Sequence, residues 1–247
     1  MCLFLIMRVA YCLYGQPRDY RTGFKYVKEF LERNSYVTFD FYFHAWKIPQ
    51  NELYETSPWI HYSVDVLKQD ENIETNLLKL YNPVDHVFED KKVFDMEPFK
   101  NTLAFQNMIT ISVKQNIHNV ISQMYSRMKV CNLFKQSNIK YDYVITSRFD
   151  YCHPISIDLN KINLNKTYVS NMHVPRHILP DRFMMFPVDV YKSVFSDIFD
   201  VFSDKEVDIK MKQHHEVLAI NPEEVILAMF LKVCGSTQSV IFTKLIN

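Results

Sequence analysis

The stretch Arg8–Tyr14 (RVAYCLY), with the loop and helix after it, constrains the fold more than any other part of the chain. It is a short apolar run of strand formers closed by Gly15-Gln16-Pro17-Arg18, the pattern of a buried strand that ends in a tight loop. Phe24–Glu32 (FKYVKEFLE) then places apolar residues at helical spacing, with Asn34 and Ser35 closing it. Tyr36–Trp46 (YVTFDFYFHAW) returns to an aromatic and β-branched run, a second buried strand. Strand, loop, helix, strand is the order of a parallel βαβ unit, so the expected class is α/β.

The remaining pattern extends that unit. Val64–Tyr81 reads as a helix and Val84–Glu89 as a short strand. Asn107–Gln136 is the longest helical stretch, with Met108, Ile111, Ile117, Val120, Ile121, Met124, Met128 and Leu133 at its apolar positions. Tyr141–Thr146 (YDYVIT) is a third strand ending at Ser147-Arg148-Phe149-Asp150. Thr167–Ser170 and Arg182–Phe186 read as later strands, Val188–Phe202 and Pro222–Cys234 as helices, and Val240–Lys244 as a closing strand. No repeat, low-complexity tract or linker divides the 247 residues, which suit one domain over 1–247.

Composition then removes whole function classes. With only 3 Gly, the chain has no glycine-rich phosphate cradle of the dinucleotide or P-loop kind. Lys+Arg and Asp+Glu balance at 28 each, with no basic stripe, which argues against nucleic acid as a partner. The 5 cysteines are scattered and lack CxxC spacing, so neither a disulfide framework nor a zinc site is expected, and a reducing cytoplasmic compartment fits. No segment approaches the length of a membrane span. Met1–Met7 lacks the features of a signal peptide, and Met7 is an alternative start.

In an open α/β sheet, ligands bind beyond the carboxyl ends of the strands. Three polar clusters fall at such ends: Gly15–Arg18, His44–Trp46 and Arg148–Asp150. Asp150 suits a divalent metal that neutralises a diphosphate, and Arg148 suits the phosphate itself; an Arg–Asp pair that only ties the loop is the competing reading. Gly15, Gln16 and Arg18 suit a phosphate-facing turn, or an ordinary turn with an exposed arginine. Asp181 is the first candidate for a catalytic base, against a turn aspartate that bonds its own backbone. Glu223 and Glu224 suit acceptor hydroxyls, or simply the first turn of a helix that opens at Pro222. His214, His215 and Glu216 form a further polar group in which a histidine suits a metal shell. His44 and Trp46 suit the wall of a nucleotide pocket, or the end of an apolar strand.

In their order along the chain, RVAYCLYGQPR, DFYFHAW, LYNPVDHVFE, QMYSRMKVCNLF, YDYVITSRFD, DRFMMFPVDVYKSVF and NPEEVILAMFL resemble a group of glycosyltransferases from bacteria and large DNA viruses. The resemblance runs from Arg8 to Leu231, and YDYVITSRFD is its most specific part. It implies a GT-A-like nucleotide-diphospho-sugar transferase fold, with a mostly parallel central sheet flanked by helices. It also implies a nucleotide-diphosphate sugar donor, a glycan or other hydroxyl acceptor, and a divalent metal, Mn or Mg. Such folds bind the metal through Asp-x-Asp; here Arg148-Phe149-Asp150 stands in that place, so Asp150 alone carries over as the metal or ribose ligand. By the same likeness Gly15 and Arg18 meet the nucleotide, Asp181 faces the acceptor, and Glu223 or Glu224 is the last carboxylate. A sulfo- or phosphoryl-transferase lacks its phosphate loop here. A non-catalytic sugar- or partner-binding domain on a transferase fold is the alternative, kept open by the missing first carboxylate.

Overall fold

A computed structural model describes residues 6–47, 70–111, 117–170, 179–218, 220 and 222–243. Seven strands form one sheet: β1 (Arg8–Gly15), β2 (Thr38–Lys47), β3 (Asp85–Asp90), β4 (Tyr143–Arg148), β5 (Thr167–Ser170), β6 (Phe183–Phe186) and β7 (Val240–Thr243). Their order is β3-β2-β1-β4-β6-β5-β7. The pairs β1/β2, β2/β3, β1/β4 and β5/β7 are parallel; β6 is antiparallel to both β4 and β5. The α/β class and the mostly parallel sheet read from the sequence are what the chain adopts.

The helices are α1 (Tyr20–Arg33), α2 (Ile73–Tyr81), α3 (Glu97–Lys100), α4 (Leu103–Ile111), α5 (Ile117–Gln136), α6 (Val188–Phe195), α7 (Lys205–Gln213) and α8 (Pro222–Cys234). Strand alternation assigns them to two faces. Val9, Tyr11 and Leu13 of β1 pack with Val27 and Phe30 of α1 and Leu77 and Tyr81 of α2. Ala10, Cys12 and Tyr14 face the other way, onto α5, α6 and α8. The helix α1 forms because Tyr20, Gly23, Val27 and Phe30 recur at helical spacing and all are buried. Its end is fixed by the fully buried Asn34, whose Nδ2 donates to the carbonyls of Phe30 (3.0 Å) and Ile157 (3.1 Å). The Asn34 Oδ1 in turn accepts from the Leu159 N–H at 2.9 Å.

Several expected elements differ in extent. The helix read at Phe24–Glu32 begins a turn earlier, at Tyr20, after Asp19 in a left-handed conformation (φ 42°). Asn107–Gln136 corresponds to the end of α4 and to α5, with 112–116 outside the described residues. Val188–Phe202 is α6 followed by a short 3-10 turn at Asp200–Ser203. Of Val64–Tyr81, Ile73–Tyr81 is helical and 64–69 lie outside the described residues, as do 1–5, Asn221 and 244–247.

The order of strands sets the position of the site. From β1 the chain moves outward through β2 to β3, then returns to place β4 on the other side of β1. The connections leaving β1 and β4 therefore part in opposite directions, opening a crevice at their carboxyl ends. Gly15–Arg18 and Phe149–Asp150 are the two lips of that crevice.

Candidate functional site at the β1/β4 switch point

One row of residues crosses the sheet at this edge. Tyr14 pairs in register with His44 on one side and with Arg148 on the other. All three project toward the face covered by α5. The antiparallel β6 adds to the same edge from the opposite direction: its beginning, not its end, lies beside the end of β4. The N–H of Arg148 accordingly donates to the Arg182 carbonyl at 3.3 Å, which brings Asp181 and Arg182 into the crevice.

At the β2 side the row is locked internally. His44 is fully buried, and its Nδ1 lies 2.7 Å from the Ser126 hydroxyl of α5. That hydroxyl also accepts the N–H of Gly15, at 2.7 Å. Burial holds the imidazole down at about 4 despite the opposing pull of Glu89, so the ring is neutral at pH 7. Burial would raise Glu89, but Lys129 and Lys92 draw its carboxyl down to about 2, and its Oε2 stands 3.4 Å from the His44 Nε2. The ionised carboxylate favours the ring proton on Nε2, leaving Nδ1 to accept from Ser126. His44 thus acts on the site through Ser126 and Gly15, whose φ of +97° suits a residue without a side chain. Gln16 is half-buried in the loop beyond Gly15.

At the β4 side, Arg148 grips Asp150 with both arms of its guanidinium, Nε to Oδ1 at 2.8 Å and Nη2 to Oδ2 at 2.7 Å. The Arg18 Nη2 approaches the same Oδ2 to 3.3 Å. Burial alone would raise the Asp150 carboxyl, but Arg148, Arg18 and Arg182 together hold it below its usual value. Burial alone would lower Arg148, and Asp150 more than offsets this. The Arg148 guanidinium is therefore permanently charged.

Under α5 lies the third group. Arg127 is 1% exposed and donates through Nη2 to the Tyr14 hydroxyl and to the Asp181 carbonyl, with its guanidinium 3.9 Å from the Tyr14 ring centre. The Tyr14 hydroxyl also donates to the Asp181 carbonyl. The Asp181 side chain accepts from Gln123 Nε2 at 2.6 Å. Glu223 stands at the start of α8, where burial and the nearby Asp181 push its carboxyl up to about 7. Burial, Glu216 and Glu223 push Glu224 up to about 8.

The predicted residues therefore fall into two sets. Gly15, Arg18, Arg148, Asp150, Asp181 and Glu223 converge on one crevice; His44 buttresses it from within, and the Glu224 carboxyl is raised by burial and by Glu216. Among the described residues no three His, Cys, Asp or Glu side chains gather as a metal set, so His214, His215 and Glu216 do not complete one with Asp150. The donors around Asp150 are two arginines, a surrounding that does not fit a divalent cation. Tyr14, Gln123, Ser126 and Arg127 were not singled out from the sequence. The available signal was Ser126-Arg127 itself, two polar residues among the buried positions of α5 (Val120, Ile121, Met124, Val130, Cys131 and Phe134).

Fold and site together define an α/β protein with an arginine-lined, carboxyl-bearing crevice at its switch point. No family model matches the chain, and no curated protein does. Among solved structures it is similar to the galactosyltransferase LgtC in complex with donor and acceptor sugar analogs. The TM-score is 0.45 and the identity 11%, over 96% of this chain and 73% of that one. An active-site mutant of LgtC gives the same TM-score and identity over 96% and 72%. At this distance the likeness is one of backbone arrangement.

Proposed function

We propose that the chain is a glycosyltransferase that moves a sugar from a nucleotide-diphosphate donor to a hydroxyl acceptor, on a GT-A-like fold. The observation that carries this reading is the Glu223 carboxyl, held near 7 beside Asp181, in a crevice whose lips carry Arg18 and Arg148. A carboxyl titrating near neutral pH is suited to proton transfer, and guanidinium groups are suited to a diphosphate. The donor diphosphate lies over Gly15–Arg18 and Arg148. The acceptor oxygen attacks the anomeric carbon, its proton passes to Glu223, and the carbon–oxygen bond to the diphosphate breaks with its electron pair leaving on the nucleoside diphosphate. Asp181, fixed by Gln123, orients the acceptor hydroxyl. No step is assigned to a metal, because the arginines around Asp150 occupy the place of one.

The test is turnover of uridine, guanosine, thymidine and cytidine diphosphate sugars by purified protein, with Glu223→Gln beside it. Turnover with one donor, lowered about 100-fold or more in the variant at an unchanged melting temperature, is the expected result. A specific observation favours a second reading, a sugar-binding domain without catalysis: the carboxylate of a metal motif is here neutralised by arginine. Binding of a nucleotide-sugar with no turnover would select it. No described helix is long and apolar enough to cross a membrane, and Cys12, Cys131, Cys152 and Cys234 are free thiols; a cytoplasmic site of action is part of the proposal.

A further inference from the structure

We infer that the crevice binds the diphosphate of its nucleotide through arginine, chiefly Arg127 and Arg148, and needs no divalent cation to do so. The inference rests on the nucleotide-sugar reading above and names the chemistry by which that site takes its ligand.

Two independent observations carry it. The first is the state of Asp150. Its two oxygens are both bonded to Arg148, and Arg18 lies 3.3 Å away, so the carboxylate is already held by guanidinium groups. A divalent cation at Asp150 would displace a bidentate pair and then stand beside both displaced guanidinium groups, with repulsion from each. A diphosphate meets the opposite situation, since guanidinium groups attract it and can bond its oxygens. The side chains of Arg18, Asp150 and Arg148 are 14%, 16% and 23% exposed, which leaves the pair reachable from the crevice.

The second is Arg127. Its Nη2 is engaged with Tyr14 and Asp181, whereas Nε and Nη1 have no hydrogen-bond partner among the described residues. Nor does it form an ion pair with any described carboxylate. A guanidinium buried to 1% exposure with two nitrogens unbonded among the described residues is costly, and an anionic ligand would supply the missing acceptors. Tyr14 ties this arginine to the first cluster. Its hydroxyl bonds Arg127, its backbone is in register with Arg148, and Arg127, Asp181, Arg148 and Asp150 all act electrostatically on its phenol. A planar fork of donors on each of Arg127 and Arg148 suits the oxygens of a diphosphate.

Calorimetric titration with UDP, GDP, dTDP and CDP, each in EDTA and in manganese chloride, tests the inference on wild type, Arg127→Met and Asp150→Asn. The expected result is that one nucleotide binds undiminished in EDTA. Arg127→Met is expected to weaken it about tenfold or more. Asp150→Asn is expected to bind it as tightly or more tightly, because a charge that competes for Arg148 is gone. Binding that appears only with manganese overturns the inference and leaves the transferase reading standing. Binding in EDTA that Arg127→Met leaves intact, in protein with a wild-type circular dichroism spectrum, removes Arg127 from the site. Absence of binding by every nucleotide in both conditions overturns the inference and the reading beneath it. If Arg127→Met fails to fold, the EDTA arm on wild type and Asp150→Asn decide the question alone.

Discussion

Gly23 rests directly on the backbone of Phe149: a methyl group on its α-carbon would lie 1.9 Å from the Phe149 carbonyl oxygen. The first turn of α1 and the loop that follows Arg148 and carries Asp150 are thereby held in a single relative position. The Gly23 N–H donates to the Asp19 carbonyl at 3.1 Å, so the turn that ends the Gly15–Arg18 loop is fixed by the same residue.

Gly23→Ala is expected to force α1 and this loop apart, since the atom in the way is backbone and has no rotamer to change. Overpacking of this kind costs about 1–3 kcal/mol. Denaturant unfolding measures the loss, and nucleotide titration measures the displacement of Asp150. A midpoint equal to wild type would mean that the helix shifts without penalty.

Glu224 links stability to pH. Its carboxyl is raised from an ordinary 4.5 to about 8, so the folded chain holds a proton that the unfolded chain has lost. This contribution is complete below about pH 4.5 and disappears as pH rises through about 8. Glu224→Gln is expected to match wild type in acid and to exceed it in stability above pH 8. Parallel curves of melting temperature against pH would contradict the assignment.

His44 works in the reverse sense. Its imidazole is depressed from 6.5 to about 4, so its contribution is full above pH 6.5 and is lost as pH falls through about 4. His44→Asn is expected to flatten the acid limb of the stability curve. NMR of the wild-type ring provides the direct check, with the expected chemical-shift change near pH 4 and not near 6.5.

Asn34 is a structural joint remote from the crevice. Asn34→Ala removes partners for the carbonyls of Phe30 and Ile157 and for the Leu159 N–H. A loss of about 1–3 kcal/mol is expected in denaturant titration, with nucleotide affinity unchanged. A change in affinity would mean that the segment around Leu159 communicates with the crevice.

The legible part of the molecule was that in which hydrophobic period and turn residues agree. Arg8–Gly15, Thr167–Ser170 and Pro222–Cys234 were readable to within a residue, because strand formers or an N-terminal proline coincide with clear stops. The strand ends bearing Gly15 and Arg148 came with them, and so did the lips of the crevice. Arg127 was harder to read, for a physical reason: it occupies a core-facing position on α5, where periodicity predicts an apolar residue, and its meaning depends on Tyr14 and Asp181, more than fifty residues away in either direction. The capture of Asp150 by two arginines was equally hidden. Spacing shows that Arg148 and Asp150 are neighbours, but only the fold brings Arg18 to the same carboxylate.

The helix α8 opens with Glu223 and Glu224 and then runs through Val225–Leu231 without one exposed residue. A carboxyl mounted there is anchored to the interior itself, unlike one carried on a surface loop that opens and closes independently. Beyond any fraying of the first turn of α8, its displacement requires the interior to come apart. Heat is therefore expected to displace this carboxyl mainly together with the core, in one cooperative event.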